Sequence, residues 1–483
     1  MNKTTLKPDL CIIGAGSGGL SVAAGAAQLG LDVILLEKDK MGGDCLNTGC
    51  VPSKALLAAS KRAALHRKTD IKGVFANEPE IDYSAVKDHV ADTINIIAPH
   101  DSPERFRSLG VNVVLQAGKF ISKNTVETEE HVIKAKRFII ATGSRAVIPP
   151  IVGLNETDFY TNENIFELRE KPEHLLILGV GPIGIEMAQA HMQLGCQVSV
   201  FDTATILPRD DQKNVAIVRE ALKQDGIMLY ESVSIKEVIK GLDNKPTLII
   251  ENKQGEQLSI SGTHLLVAAG RQANVDHLGL EQANIETSRS GIKVNQHLKT
   301  TNRKVFAIGD VAGGPQFTHV AGYHAGIIIR QICFGMFWTR VDYQALPWVT
   351  YCEPELAQVG LTEEAAIKQY GSEKIKVVEW HFDENDRAIA ERQTKGQIRV
   401  VTNNKGKILG ASIVGPHAGE LIGLWGFAIT TKQKIGAVTS MIAPYPTLGE
   451  VSKRAAGVWY TPSLFSDRTR RIVRIMKIIG SWF

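Results

Sequence analysis

Short apolar runs, each followed by a glycine-rich turn and an alanine-rich stretch, set the rhythm of the first half of the chain. Leu10-Cys-Ile-Ile13, after Asp9, is a continuous apolar run of the kind produced by a parallel strand buried on both faces. It runs into Gly14-Ala-Gly16-Ser-Gly-Gly19, then a stretch patterned as a helix, then a second run, Val33-Ile-Leu-Leu36, that ends in Glu37. The same order recurs. Leu175-Leu-Ile-Leu178 leads into Gly179-Val-Gly181-Pro-Ile-Gly184, a helix, and Val198-Ser-Val-Phe201, which ends in Asp202. From first glycine to terminal acid the interval is 23 residues in both copies.

One GxGxxG is a weak signal; two copies with the same offset to an acid predict two βαβ dinucleotide-binding folds. The first glycine permits the tight turn, the second lets backbone approach a pyrophosphate, and the third lets helix pack on strand. The helix N-terminus then favours the phosphates, and Glu37 or Asp202 accepts from ribose hydroxyls. Three further strand exits follow the same grammar: Phe138-Ile-Ile140 into Ala141-Thr142-Gly143-Ser144, Leu265-Leu-Val-Ala-Ala269 into Gly270-Arg271, and Lys304-Val-Phe-Ala-Ile308 into Gly309-Asp310. The predicted class is α/β, with the second dinucleotide fold (150–272) inserted in the first (1–149 and 273–345). From residue 346 to 483 the β-branched runs Gln397–Val401 and Ile408–Val414 alternate with helical stretches and carry no nucleotide motif, which predicts an α+β third domain.

Composition narrows the function classes. With 44% hydrophobic and 22% charged residues the 483-residue chain is neither disordered nor a coiled coil. A formal net charge of +4 asks for no nucleic-acid partner. Lys3 and Lys7 before an apolar stretch imitate a signal peptide, but the glycines from Gly14 to Gly19 interrupt it, and the expected location is the cytoplasm. Six scattered cysteines fit a reducing compartment, and only Cys45 and Cys50 are close in sequence.

Those two stand in Gly42-Gly-Asp-Cys45-Leu-Asn-Thr-Gly-Cys50-Val-Pro-Ser-Lys54, just after the first βαβ acid. On a regular helix five residues rotate by about 500°, leaving the side chains about 140° apart. A bond between them needs a distorted turn, for which Gly49 is suited, and a helix beginning near Pro52 would favour a thiolate, as would Lys54. Two free buried thiols are the plainer alternative.

The cysteine segment resembles the active-site signature of the FAD-dependent pyridine nucleotide–disulfide oxidoreductases, and the resemblance extends over nearly the whole chain. It implies two Rossmann-like domains and a C-terminal dimerisation domain. FAD would lie on Gly14, Gly16, Gly19, Glu37, Lys54, Gly118, Thr142, Gly143 and Asp310. A nicotinamide nucleotide would lie on Gly179, Gly181, Gly184, Asp202 and Gly270. Hydride would pass from nicotinamide to flavin and on to a Cys45–Cys50 disulfide, with Cys50 against the flavin and Cys45 meeting the acceptor. Lys54 matches the family's lysine near the flavin and Glu186 its ion-pair partner; otherwise Glu186 is an ordinary solvated helix glutamate. Pro182 stands where relatives carry a gating side chain. Asp202 is followed by Thr203-Ala-Thr-Ile206 with no cation to hold a 2′-phosphate, which favours NADH over NADPH, although Arg209 lies within reach further on.

The resemblance breaks at Ala443-Pro-Tyr445-Pro-Thr-Leu-Gly-Glu450. Lipoamide and glutathione enzymes place a histidine where this chain has Tyr445, five positions before the acid partner that Glu450 retains, and use the dyad across a homodimer interface. A phenol with an ordinary pKa near 10 is a poor base for a thiol. Tyrosine at this position resembles mercuric reductase, where a soft metal ion binds a thiolate pair and takes electrons without a histidine. The plainer alternative for Tyr445 is interface packing. Mercuric reductases also carry a vicinal cysteine pair near the C-terminus, whereas no cysteine follows Cys352 here.

The expected protein is thus a homodimeric flavoenzyme passing electrons from NADH through Cys45 and Cys50 to a metal ion or other small electrophile. The alternatives are a dihydrolipoyl dehydrogenase with a replaced base and, in another class, a flavin-binding redox sensor. The tail 466–483 is patterned as a basic amphipathic helix, with Arg470, Arg471, Arg474 and Lys477 on one side. Ile472, Val473, Ile475, Met476 and Ile479 fall largely on the other, the pattern of a peripheral membrane contact or of a helix docked on the third domain.

Overall fold

Strand β1 (Leu10–Ile13) takes up the first apolar run in the computed structural model, which describes residues 3–68, 71–241 and 245–480. After it come α1 (Ser17–Gln28), β2 (Val33–Leu36), β3 (Val111–Val114), β4 (Arg137–Ile140), β5 (Val305–Ala307) and α2 (Thr318–Cys333). The strands form one parallel sheet in the order β5-β4-β1-β2-β3, with Leu10 opposite Val33 on one side and Arg137 on the other. Side chains alternate between its faces. Leu10 and Ile12 pack with Leu20, Val22 and Ala26 of α1 and Ile327 and Ile328 of α2. Cys11 and Ile13 pack on the other face with Phe120, Val126 and Ile133. Both faces are covered, so every position of the run is apolar.

The described residues gather into two units: Met1–Ala64 with Pro79–Gly179 and Ile235–Val341, and Leu65–Glu78 with Val180–Ser234 and Asp342–Phe483. The first holds the sheet above and the parallel pair His174–Leu178 with His264–Val267. The second holds helix Pro182–Gln193 and the parallel pair Gln197–Asp202 with Met228–Glu231. It also holds an antiparallel sheet ordered Pro347–Thr350, Glu355–Gly360, Ile408–Gly415, Gln397–Asn403, Ile375–His381. Helices Ala418–Thr430 and Glu450–Val458 bury Trp425 and Ala455 against it, and the Trp425 indole N–H donates to Ser452 Oγ at 3.1 Å. The mixed α/β class expected from the sequence is the one found.

Arg399, only 1% exposed, ties the second unit together. Its guanidinium donates to Asp211 at 2.9 and 3.2 Å and to Glu363, and it lies 3.4 Å from Glu379. Asp211 also caps helix Gln212–Gln224 by accepting from the Lys213 and Asn214 N–H groups. The tail forms helix Asp467–Gly480, while Ser481, Trp482 and Phe483 lie outside the described residues. Among the described residues no helix is long and apolar enough to cross a membrane.

Candidate redox-active site

The two glycine motifs adopt the same geometry. Gly14 and Gly179 have φ of +106° and +122°, and a Cβ on either would stand 2.4 Å from the Ala141 oxygen or 2.3 Å from the Ala268 oxygen. Glycine is therefore required there by turn and neighbouring strand together. Gly16 and Gly181 sit at the N-caps of their helices with near-identical backbone angles, φ −80° and −73°, and lend no side chain to the first N–H groups. A Cβ on Gly19 would meet the Gly14 oxygen at 1.9 Å, the close helix–strand approach expected of the third glycine. Gly184 is buried in its helix.

The acids behave alike too. Glu37 accepts from the Ala15 N–H at 2.7 Å and Asp202 from the Val180 N–H at 3.1 Å, the middle residue of each Gly-x-Gly. Further oxygens accept from Asp39 N–H and from Ala204 N–H at 2.9 Å. Expected as ribose acceptors, the acids also brace the glycine turns, a task that sequence spacing alone did not reveal.

Cys45 lies on the short helix Gly43–Asn47 and Cys50 opens the next helix, Cys50–Arg67. Both are free thiols. Thr48 and Gly49 break the helix between them; a Cβ on Gly49 would stand 2.8 Å from Asp44 Oδ2. The second helix starts two residues before the expected Pro52, a place where proline is tolerated because the first four N–H groups of a helix make no intrahelical bond that it would remove. Cys50 is thereby placed at a helix N-terminus. A hydrogen bond from Cys45 brings its thiol down to about 6, with Thr318 and Lys54 acting in the same sense against burial and Asp44. The same bond to Cys50, then burial, pushes the Cys45 thiol up. Cys50 is the thiolate of the pair, and its sulfur lies 3.3 Å from Thr318 Oγ1 at the start of α2.

A polar network surrounds the pair. Asp44 Oδ1 accepts from Asn162 at 2.9 Å and pairs with Arg271 at 3.1 Å. Arg271 donates to Ser144 Oγ at 2.8 Å, and Ser144 donates to Asp310 at 2.5 Å. Burial pushes the Asp310 carboxyl up. His324, buried on α2, accepts from the Gly309 N–H at 3.1 Å; burial brings it down to about 4, so it is neutral near pH 7. Thr142 donates to the Asn274 carbonyl at 2.8 Å. Gly118 is a packing glycine, its Cβ position 2.5 Å from Leu36.

Comparison with known proteins follows the same lines. Residues 8–325 match the family described as pyridine nucleotide-disulphide oxidoreductase, and residues 346–456 match its dimerisation domain. The chain is similar to mercuric reductase from Bacillus cereus, 33% identical over 450 residues, 92% of this chain and 70% of that one. Dihydrolipoyl dehydrogenase from Geobacillus stearothermophilus is likewise 33% identical, over 460 residues, 94% of this chain and 96% of that one. The chain belongs to the pyridine nucleotide-disulphide oxidoreductases. Among solved structures it resembles the Cu(II) complex of the HOCl-induced flavoprotein disulfide reductase RclA from Escherichia coli, with TM-score 0.83 and 26% identity over 93% of this chain and 99% of that one.

Membership of this oxidoreductase family supports FAD and a pyridine nucleotide as cofactors and a homodimer as the assembly. The residues fit such groups. Nothing lies within 4 Å of a Cβ built on Gly181, Gly143 or Gly270, and Gly16 meets only Gly43 Cα at 4.0 Å. At Gly181 the backbone angle suits any residue, and the space that a Cβ would fill is open, which leaves room for a ligand against the backbone.

In the second unit, Glu186 is buried on helix Pro182–Gln193 and accepts from the Tyr351 N–H at 3.0 Å, so it is not a solvated helix glutamate. Pro182 is the first residue of that helix. Tyr445 is 68% exposed, and its hydroxyl donates to Asp386 at 2.9 Å. The hydrogen bond and the negative charge of Asp386 raise the phenol above the ordinary tyrosine range. Glu450 opens helix Glu450–Val458. Cys352 is fully buried and donates to the Pro354 carbonyl, which removes it as an exposed metal-relay thiol.

Proposed function

We propose that the chain is a homodimeric flavoenzyme that oxidises NADH and reduces a soft metal ion through Cys45 and Cys50. When bound, FAD and the nicotinamide nucleotide supply the two-electron path to the cysteine pair. Overall, NADH loses a hydride and a proton is released. Hg(II) takes the two electrons, or two Cu(II) ions take one each. The domain parse proposed from the sequence goes with this reading: FAD on 1–149 and 273–345, nicotinamide on 150–272, dimerisation on 346–483. Lys54 and Glu186 keep the flavin-side roles that the family resemblance gives them.

The observation that carries the acceptor class is Tyr445 bonded to Asp386 where a histidine would serve a disulfide substrate. A neutral phenol whose proton is held by a carboxylate is a poor base near neutral pH. Metal reduction makes no such demand: thiolate and thiol are soft ligands, and Cys50 is deprotonated near pH 7. The names of two relatives, a mercuric reductase and a Cu(II)-complexed reductase, agree with this class. Asp202 with no lysine or arginine in the next four residues supports NADH over NADPH. Dihydrolipoyl dehydrogenase with another base is the second reading, favoured by the retained Glu450 and by the 33% identity to that enzyme.

Anaerobic reduction by NADH followed by addition of thiol-buffered Hg(II) or Cu(II) tests the path. Flavin colour should return with the wild type and fail to return with Cys45→Ala or Cys50→Ala. Equal return in all three would remove the cysteines from the route.

A further inference from the structure

Helix Asp467–Gly480 takes no part in the chemistry above, and its side chains from Arg470 to Ile478 are all exposed. At about 100° per residue, Arg470, Arg471, Arg474 and Lys477 occupy an arc of about 120°. Ile472, Val473, Ile475 and Met476, each between 50 and 61% exposed, cover the other side. Arg468 and Ile478 are the exceptions to the division. After Asp467, which pairs with Arg470 at 3.7 Å, the helix carries no carboxylate. Leu464 and Phe465, 56 and 66% exposed, add apolar surface just before it.

We propose that this helix seats the protein on an anionic phospholipid surface, lying in the plane of the interface with Ile472, Val473, Ile475 and Met476 among the acyl chains and Arg470, Arg471, Arg474 and Lys477 among the phosphates. The described helix of 14 residues rises about 21 Å, short of the about 30 Å of hydrocarbon. Charge complementarity favours anionic lipid over a second copy of the helix, because pairing two copies would bring the same uncompensated cations together. A basic arc facing an exposed apolar arc is the pattern of interfacial helices. The assignment does not depend on which acceptor the enzyme reduces.

The test uses the full-length, FAD-loaded protein and sedimentation with vesicles of phosphatidylcholine alone or mixed with phosphatidylglycerol. Binding should require phosphatidylglycerol and weaken as salt rises. Ile472→Glu with Ile475→Glu, and separately Arg470→Glu with Arg474→Glu, should each weaken binding at least about tenfold, since each basic residue near such a surface is worth about fivefold. NADH consumption with a soluble acceptor and elution volume should stay unchanged in both variants. Absence of wild-type binding, or binding indifferent to both variants, overturns the proposal. A changed elution volume in the isoleucine variant without any vesicle binding does so too, and assigns the face to a second copy.

Discussion

The Tyr445 hydroxyl donates a hydrogen bond to Asp386 at 2.9 Å, and Asn385, one residue earlier, donates one from its side-chain amide to the Thr447 carbonyl at 3.1 Å. The start of helix Asp386–Ala390 thus grips the tyrosine loop at two points and leaves the phenol neutral. Asp386→Asn removes the negative charge that disfavours phenolate. The ionisation of Tyr445 should then fall back toward the ordinary tyrosine value of about 10. Phenolate absorbance against pH, with Tyr445→Phe subtracted, reads this directly; an unchanged midpoint would free Tyr445 from Asp386 control.

In the reduced protein, Cys50 should react with iodoacetamide along a titration centred near 6, because only its thiolate attacks. Cys45→Ala removes the largest influence holding the thiol down, so the midpoint should rise toward about 8.5, the free-thiol value. Thr318→Val, which removes a lesser one, should raise it by less. A Cys45→Ala midpoint that stays near 6 would mean that Lys54 and the helix N-terminus set the value.

Gly179 and Gly181 are two residues apart and should fail differently. Gly179→Ala forces a side chain into positive φ and against the Ala268 carbonyl, so thermal stability should fall by about 1–3 kcal/mol or more. Gly181→Ala meets nothing within 4 Å and should fold as the wild type does. It should raise KM for NADH at least about tenfold while flavin stays bound, a loss of about 1.4 kcal/mol. Melting curves and NADH titrations of both variants check the pair.

Arg399→Leu leaves Asp211 buried without its cation and weakens the cap it provides. Loss of one partner from a buried ion pair costs about 3–5 kcal/mol, and urea unfolding should show a loss of that size. A loss below about 1 kcal/mol would make the cluster dispensable.

What the sequence made readable is what lies contiguous along the chain. Each glycine motif, its strand and its terminal acid fall within about one βαβ unit, and the cysteine segment is an unbroken string, so pattern and spacing suffice. The Asp44–Arg271–Ser144–Asp310 network joins four strand exits and turns that are far apart in sequence, and polar residues in loops show no periodicity to find them by. Arg271 and Ser144 do stand beside the glycine exits, a position that marks them once the repeat is aligned. Asp386 lies 59 residues from Tyr445. Nothing local in either segment announces that bond. The helix start at Cys50 instead of Pro52 was masked because proline is tolerated anywhere in a first turn.

The central claim is the acceptor class, and the direct measurement is anaerobic steady-state NADH oxidation with two acceptors side by side, thiol-buffered Hg(II) and oxidised lipoamide. The account predicts turnover with the metal at about 1 per second or faster, in the range of ordinary enzymes, and little with lipoamide. Brisk lipoamide turnover without metal reduction would contradict it, and would mean that a group other than Tyr445 supplies the base.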